Sequence, residues 1–438
     1  MNAREGAVTP AARGDMTVWS VAALGIGSMV GAGIFALLGQ AALLVGDWTW
    51  LSFALGGAVA VLSGYSYARL GARYPSAGGI VRFFEEAFGR GMLSATLSLL
   101  YLVTLPITVA MVARTFGAYA TRLVLPSGGH VWFGVLGSAI VVVLVMVNAV
   151  GAGAVGRAEL ALVAVKLVIL AGLLAVGAWS LGTGSHAAAE HARPATGVLL
   201  SSVGLTFFAY SGYGMTANAA DAVADPAKAI PRAIFLAIAV VAVLYVGLAI
   251  TVLGLVPPAQ LVRDADTAVA QAARPVLGSA GFTVVTLGAL LATSSAINAT
   301  LFSALNISHA LAGAQQLPRA FQPASGRRIS RGFLWGVAGV LVAVNFLSLN
   351  AIANVASATF LLCYLAVFVA AWRLAAETGA SRPVLAVGFV AMLVVLVSFL
   401  VGLIRRHPLS LGLIGIAVGG CVAVEATLRA RRRRASRG

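Results

Sequence analysis

Runs of about 20 continuously apolar residues recur twelve times along this chain, at 17–39, 48–68, 91–121, 131–150, 158–182, 197–218, 231–256, 280–311, 333–350, 352–372, 383–404 and 409–428. A bilayer core about 30 Å thick is crossed by roughly 20 helical residues, so this pattern leaves little room for any fold but a bundle of membrane-spanning helices. A transmembrane β-barrel would instead alternate polarity over segments of about 10 residues. Composition agrees: 60% of the 438 residues are hydrophobic and 10% charged, which is not the makeup of a soluble domain. The expected fold is an all-α integral membrane protein with 12 transmembrane helices. Residues 1–16 are polar and lack an apolar h-region, so no cleaved signal peptide is expected.

The formal net charge of +16 raises the question of nucleic acid, which the positions of the basic residues answer. Twelve crossings put both termini on one side, and Arg69, Arg73, Arg82, Arg90, Arg157, Lys228, Arg373 and the tail from Arg429 to Arg437 all fall there. The opposite side receives only Arg122, Arg193, Arg263, Arg274, Arg405 and Arg406. By the positive-inside rule the termini are cytoplasmic, the protein belongs to a cell (inner) membrane, and residues 429–438 read as a topology anchor with the lipid bilayer as partner, not nucleic acid.

Cys363 and Cys421 lie within apolar spans and the five histidines are scattered, so no metal site, cofactor or nucleophile–base grouping is indicated, and an enzyme is not expected.

The first span carries "GIGSMVGAGIF", with Gly25, Gly27, Gly31 and Gly33 close together near its middle. A dinucleotide loop is excluded because the fingerprint needs a strand and a soluble βαβ unit. Two readings stay open. Gly27-x-x-x-Gly31 is a spacing that lets two membrane helices approach closely. Alternatively the glycines mark a break in the helix, where freed backbone groups line a cavity. The sixth span holds Gly204, Gly212 and Gly214 around Tyr210 and Ser211 at similar depth. Glycine-interrupted spans at matching places in two halves point to a midplane substrate site between inverted repeats.

"GIGSMVGAGIF", "ARLGARYPSAGGIVRFFEEAFG", "FFAYSGYG" with "DAVADPAKAIPRAI", and "LPRAF" occur in this order. Together they resemble the amino acid–polyamine–organocation permeases over most of the chain. The resemblance implies a LeuT-like 5+5 inverted repeat, here 17–182 and 197–372, with two additional helices at 383–428 outside it. It implies secondary transport of amino acids or related amines by alternating access.

Opening of the first helix around Ser28–Gly31 would present a positive helix end to a carboxylate, so the stretch Ser28, Met29, Val30, Gly31, Ala32 and Gly33 is the expected carboxylate site. By the resemblance, carbonyls of Phe207, Phe208, Ala209 and Tyr210, with Gly212 alongside, take the substrate ammonium. Tyr210 is either an aromatic gate or a core tyrosine. Asp221 is either a gating residue or a cap before Pro226. No acidic residue sits at midplane, and a dibasic or polyamine substrate would need one, so broad neutral amino acid specificity is expected.

Lys166 lies nine residues beyond Arg157, about 13 Å along a helix and therefore deep in the bilayer. An intramembrane lysine is costly, which marks a functional site. By the resemblance, its ammonium takes the place of a sodium ion otherwise held between carbonyls near Gly25 and Ser28 and hydroxyls of Thr293, Ser294 or Ser295. Its reversible protonation then makes transport sodium-independent and proton-coupled. A sodium-coupled symporter or exchanger of the same fold, and a channel or receptor, are the alternatives.

Overall fold

The structure, a computed structural model, describes residues 16–76, 78–125, 127–150, 155–184, 193–323 and 329–435. The described chain is helical, with no strand. The helices are α1 (Val18–Ala32), α2 (Ile34–Val45), α3 (Thr49–Arg73), α4 (Ile80–Phe88), α5 (Met92–Val124), α6 (His130–Val150), α7 (Val155–Gly182), α8 (Thr196–Tyr210) and α9 (Gly214–Ala217). They continue as α10 (Pro226–Leu255), α11 (Pro258–Arg263), α12 (Ala268–Gln271), α13 (Arg274–Gly313), α14 (Arg331–Phe346), α15 (Leu349–Arg373), α16 (Ala375–Thr378), α17 (Arg382–Arg406) and α18 (Pro408–Ala435). Among the described residues ten helical stretches are long and apolar enough to cross a membrane, one of them α2 and α3 run together, and two shorter apolar helices cover Val18–Gly31 and Arg331–Phe346.

Local chemistry sets several helix starts. Thr17, Ser330 and Ser348 each accept a backbone N–H three residues ahead, at 3.2 Å in every case, which satisfies one of the orphan donors of a helix N-terminus. Asp225 caps α10 in the same way, through Lys228 N–H at 3.3 Å, with Pro226 at the first helical position. The sequence motif "DPAKAIPRAI" is thus a helix start. In α13 the backbone leaves helical geometry at Gly278 (φ 63°, ψ −154°), so the regular helix begins beyond it, close to the start at 280 expected from hydropathy.

The interior is built on α15, α8, α5 and α3: in α15, 78% of the most apolar window is buried, against 17% in α18 and 22% in α6. The α1 helix is packed against α7, α10 and α13, while α8 lies between α3 and α17. The polar faces of α3 and α8 lock together through Ser202 Oγ to Ser52 Oγ (2.8 Å) and Thr206 Oγ1 to the Ser52 carbonyl (2.8 Å). Such bonds suit an apolar surround, where a polar group must find a partner inside the protein.

Candidate functional site

Two interrupted helices face each other at the centre of the bundle. α1 and α2 meet at Gly33 (φ −93°, ψ −79°), where Gly33 N–H donates to the Met29 carbonyl at 2.8 Å and Leu37 N–H to the Gly33 carbonyl at 2.9 Å. The interruption is one residue long. It corrects the expected opening at Ser28–Gly31, because α1 stays helical through Ala32. α8 ends at Tyr210, and a tight turn over Ser211–Tyr213 leads into α9. There, Ser211 Oγ donates to the Phe208 carbonyl at 2.8 Å, and Tyr364 Oη, from α15, to the Ser211 carbonyl at 2.5 Å.

Close to their interruptions the two helices approach backbone to backbone. A Cβ built on Gly212 would lie 2.6 Å from Met29 N and 2.8 Å from Ser28 Oγ. Tyr245, on α10, joins them from the other side: its Oη donates to the Met29 carbonyl at 2.7 Å, with the Ala209 carbonyl at 3.4 Å. A Cβ on Gly33 would stand 2.6 Å from that hydroxyl and 2.7 Å from the Ala209 carbonyl oxygen. Gly33 is therefore required by close approach. Gly31 faces elsewhere, toward α13, where its Cβ would meet Ala296 Cβ at 2.6 Å and the Ala292 carbonyl oxygen at 2.7 Å. That contact is the close helix approach that the small-residue spacing had left open.

A cavity of ≈ 50 Å³ lies where these segments meet, walled by Ser28, Phe208, Ala209, Ser211 and Gly212. Thr108 from α5 and Thr300 and Ser303 from α13 add hydroxyls, while Tyr101 and Phe360 add aromatic wall. Two of those hydroxyls already donate to their own helices, Thr108 to the Thr104 carbonyl (2.8 Å) and Thr300 to the Ala296 carbonyl (2.7 Å). Among the described residues no charged side chain lines the cavity. Its volume suits a few water-sized groups and is well below the roughly 300–1,000 Å³ of small-molecule pockets.

Of the residues expected to bind substrate, Ser28, Phe208, Ala209 and Gly212 line this cavity. Met29 and Val30 are buried in the core, and the side chain of Ala32 lies outside the described ones. Phe207 stands edge-on to Tyr364, with ring centroids 5.5 Å apart. Tyr210 turns away: its Oη donates to the Phe53 carbonyl at 3.0 Å and its ring packs against Phe53 and Tyr245. Of the two readings of Tyr210, the packing is that of a core tyrosine. Tyr101, Thr108, Met215, Thr300, Ser303, Phe360 and the bridging Tyr245 were not anticipated. Tyr101, Thr108, Phe360 and Tyr245 sit on helices without a glycine break, Thr300 and Ser303 lie more than 20 residues beyond the break of α13 at Gly278, and only a hydroxyl-bearing residue inside an apolar run could have signalled Tyr245.

Lys166 is 1% exposed on α7, and its Nζ donates to Ser295 Oγ on α13 at 3.0 Å. Thr293 is turned to its own helix, donating to the Ala289 carbonyl at 2.7 Å, and Ser294 is half-buried. Gly25 faces α9 and α10, where a Cβ would meet Thr216 Cγ2 at 2.6 Å. The backbone of Asp221 lies in a turn at Ala220–Ala222, and its side chain is outside the described ones.

Beyond α2, the loop before α13 carries a second polar cluster. Gln40 Nε2 donates to Asp266 Oδ1 at 2.8 Å, Asn350 Nδ2 to Gln40 Oε1 at 3.2 Å, and Arg122 pairs with Asp264 at 3.0 Å. Burial pushes the Asp266 carboxyl above its ordinary range, opposed by His130, Arg114, the Gln40 amide and Arg122. Among the described residues no group of three or more His, Cys, Asp or Glu could hold a metal ion.

A sequence profile described as amino acid permease matches residues 16–411. The chain belongs to the amino acid permease family. The inner membrane transport protein YbaT of Escherichia coli is 49% identical to this permease over 386 residues, covering 88% of the permease and 90% of YbaT. The serine/threonine exchanger SteT of Bacillus subtilis is 23% identical over 305 residues, 67% of each chain. Among solved structures, the manganese transporter of Eremococcus coleocola shares the fold, with a TM-score of 0.60, 15% identity and 95% of both chains covered. The permease is a multi-pass membrane transporter of the amino acid–polyamine–organocation type.

Proposed function

We propose that the permease is a secondary carrier of neutral L-amino acids, broad in specificity, sodium-independent and proton-coupled, working by alternating access. The observation that carries this reading is the uncharged cavity at the meeting of the two interrupted helices, walled by backbone, hydroxyls and aromatic rings. Such a wall offers hydrogen bonds to an α-carboxylate and an α-ammonium and no countercharge for a distal amine, whose burial unpaired is costly. In this reading twelve helices cross the membrane, with both termini cytoplasmic, two inverted five-helix repeats at 17–182 and 197–372, and the helices of 383–428 outside them. The closed cavity is one intermediate of the cycle, and Asp221 belongs to its cytoplasmic gate.

Proton coupling rests on Lys166. A buried ammonium bonded to Ser295 ties α7 to α13 next to α1, which packs on both. Loss of the proton weakens that tie and lets the bundle halves move. Exchange is the second reading, favoured by the relative named a serine/threonine exchanger.

The test is uptake into proteoliposomes of one labelled neutral amino acid, challenged with all twenty amino acids and putrescine. It is run with choline replacing sodium, with and without an inward proton gradient, for the wild type and Lys166→Ala. Competition by alanine or leucine but not by lysine, arginine or putrescine is expected, with no sodium requirement and a pH dependence that Lys166→Ala flattens. Stronger competition by putrescine, strict sodium dependence, or an unchanged pH profile in the variant would defeat the respective part. Uptake that needs an internal amino acid even under a proton gradient would select exchange.

A further inference from the structure

Away from the central cavity, a second cavity of ≈ 260 Å³ opens where three helix ends meet: the start of α5, the end of α13 and the end of α18. Its wall includes Arg90, Gln316, Glu425 and Arg429. Glu425 is fully buried and Gln316 is 7% exposed. Arg429 Nε donates to Glu425 Oε1 at 2.6 Å, which leaves Glu425 Oε2 with no hydrogen-bond partner. Gln316 turns its Nε2 to Glu85 Oε1 at 3.3 Å, an orientation dictated because a carboxylate can only accept. Its Oε1 is likewise buried without a partner. Two acceptors without donors are costly at a buried site.

We propose that this cavity binds a primary ammonium held next to an anion, the pair carried by the headgroup of an aminophospholipid such as phosphatidylethanolamine. The ammonium has three N–H donors to offer Glu425 Oε2 and Gln316 Oε1. Arg429 spends its Nε on Glu425 and keeps its two terminal nitrogens, which with Arg90 can hold a phosphodiester. Among the described residues at the cavity, Arg90 and Arg429 balance Glu85 and Glu425, a set that suits a zwitterion better than an anionic headgroup. A quaternary choline has no N–H and leaves both acceptors bare. Meeting helix ends place the cavity at headgroup level, and α18 is the least buried of the ten stretches long enough to span, so its outer surface faces lipid. The class of molecule is different from the transported substrate, and among the described residues the site shares no lining residue with the central cavity.

The full-length protein in detergent, offered an equimolar mixture of dioleoyl phosphatidylethanolamine, phosphatidylcholine and phosphatidylglycerol, is examined by native mass spectrometry. Phosphatidylethanolamine is expected to be retained about tenfold over phosphatidylcholine, equivalent to about 1.4 kcal/mol. Glu425→Gln should bring that ratio close to one, and Gln316→Leu, which removes the other acceptor and keeps the carboxylate, should lower it as well. Millimolar O-phosphoethanolamine supplies the soluble form of the same chemistry. If it displaces the bound lipid, the headgroup is the recognised part. Saturable binding of O-phosphoethanolamine without any phosphatidylethanolamine preference would overturn the lipid assignment in favour of a solute. Equal retention of the three lipids by the wild type, or an unchanged ratio in both variants, would overturn the site.

Discussion

Tyr245→Phe removes one oxygen atom from the contact that joins the two interrupted helices. The hydroxyl donates to the Met29 carbonyl at 2.7 Å, and the Ala209 carbonyl stands at 3.4 Å, too long to count as a second full bond. A buried carbonyl that loses its partner costs about 1–3 kcal/mol, but Met29 keeps the Gly33 N–H at 2.8 Å, so the low end applies. A loss of about 1 kcal/mol in the closed form is a factor of about five in the ratio of closed to open protein, provided the two interruptions separate on opening. Gly33→Ala attacks the same point by overpacking. Its Cβ would lie within 2.8 Å of Tyr245 Oη and of the Ala209 and Met29 carbonyl oxygens, and the two carbonyls cannot rotate away. A cost of about 1–3 kcal/mol follows. The double variant relieves one of three contacts and should recover only part of it. The assay is alkylation of a Ser28→Cys reporter on the cavity wall, against a low background because Cys363 and Cys421 are buried. About fivefold faster labelling in Tyr245→Phe is expected. Unchanged labelling together with unchanged thermal stability, or a Gly33→Ala protein as stable as the wild type, would refute the idea that Tyr245 holds the closed form.

Gly31→Val should lower the amount of folded protein in the membrane, since its side chain would drive into the Ala292 carbonyl on α13; fluorescence-detected size exclusion at wild-type level and shape would contradict this. Phe360→Leu, at a ring 5.0 Å from Phe208, should widen the cavity and shift competition toward bulkier neutral amino acids, and an unchanged order of competitors would count against the cavity as the substrate site. Asp266 binds its proton more tightly folded than unfolded, so the folded state gains stability as pH falls from neutral toward the ordinary value of 3.8. Asp266→Asn should therefore give a flatter stability–pH curve by thermal denaturation, and parallel curves for the two proteins would show that Asp266 does not titrate in that range.

Hydropathy alone was enough to read helices crossing a bilayer, because the length and polarity of a spanning helix are set by the membrane and not by neighbouring chain. The two special helices could also be read, since a cluster of glycines in an apolar run is itself a local signal. Where each glycine points was not legible. Gly31 meets α13, Gly33 meets Tyr245 and Gly212 meets Ser28, and only the rotation of each helix in the bundle decides among these. The same holds for Tyr210, whose place beside Tyr213 in a tyrosine-rich run says nothing of whether it faces the cavity or Phe53. Lys166 stood out by the cost of burying an ammonium, yet its bond to Ser295, 129 residues away, depends on how α7 is set against α13. In the sequence Glu425 is one acid near the end of the last apolar run; its burial arises because α18 packs onto α5 and the end of α13. Local rules of length, polarity and capping act within a few residues and are written in the sequence, whereas contacts between distant helices are fixed by packing and require the folded bundle.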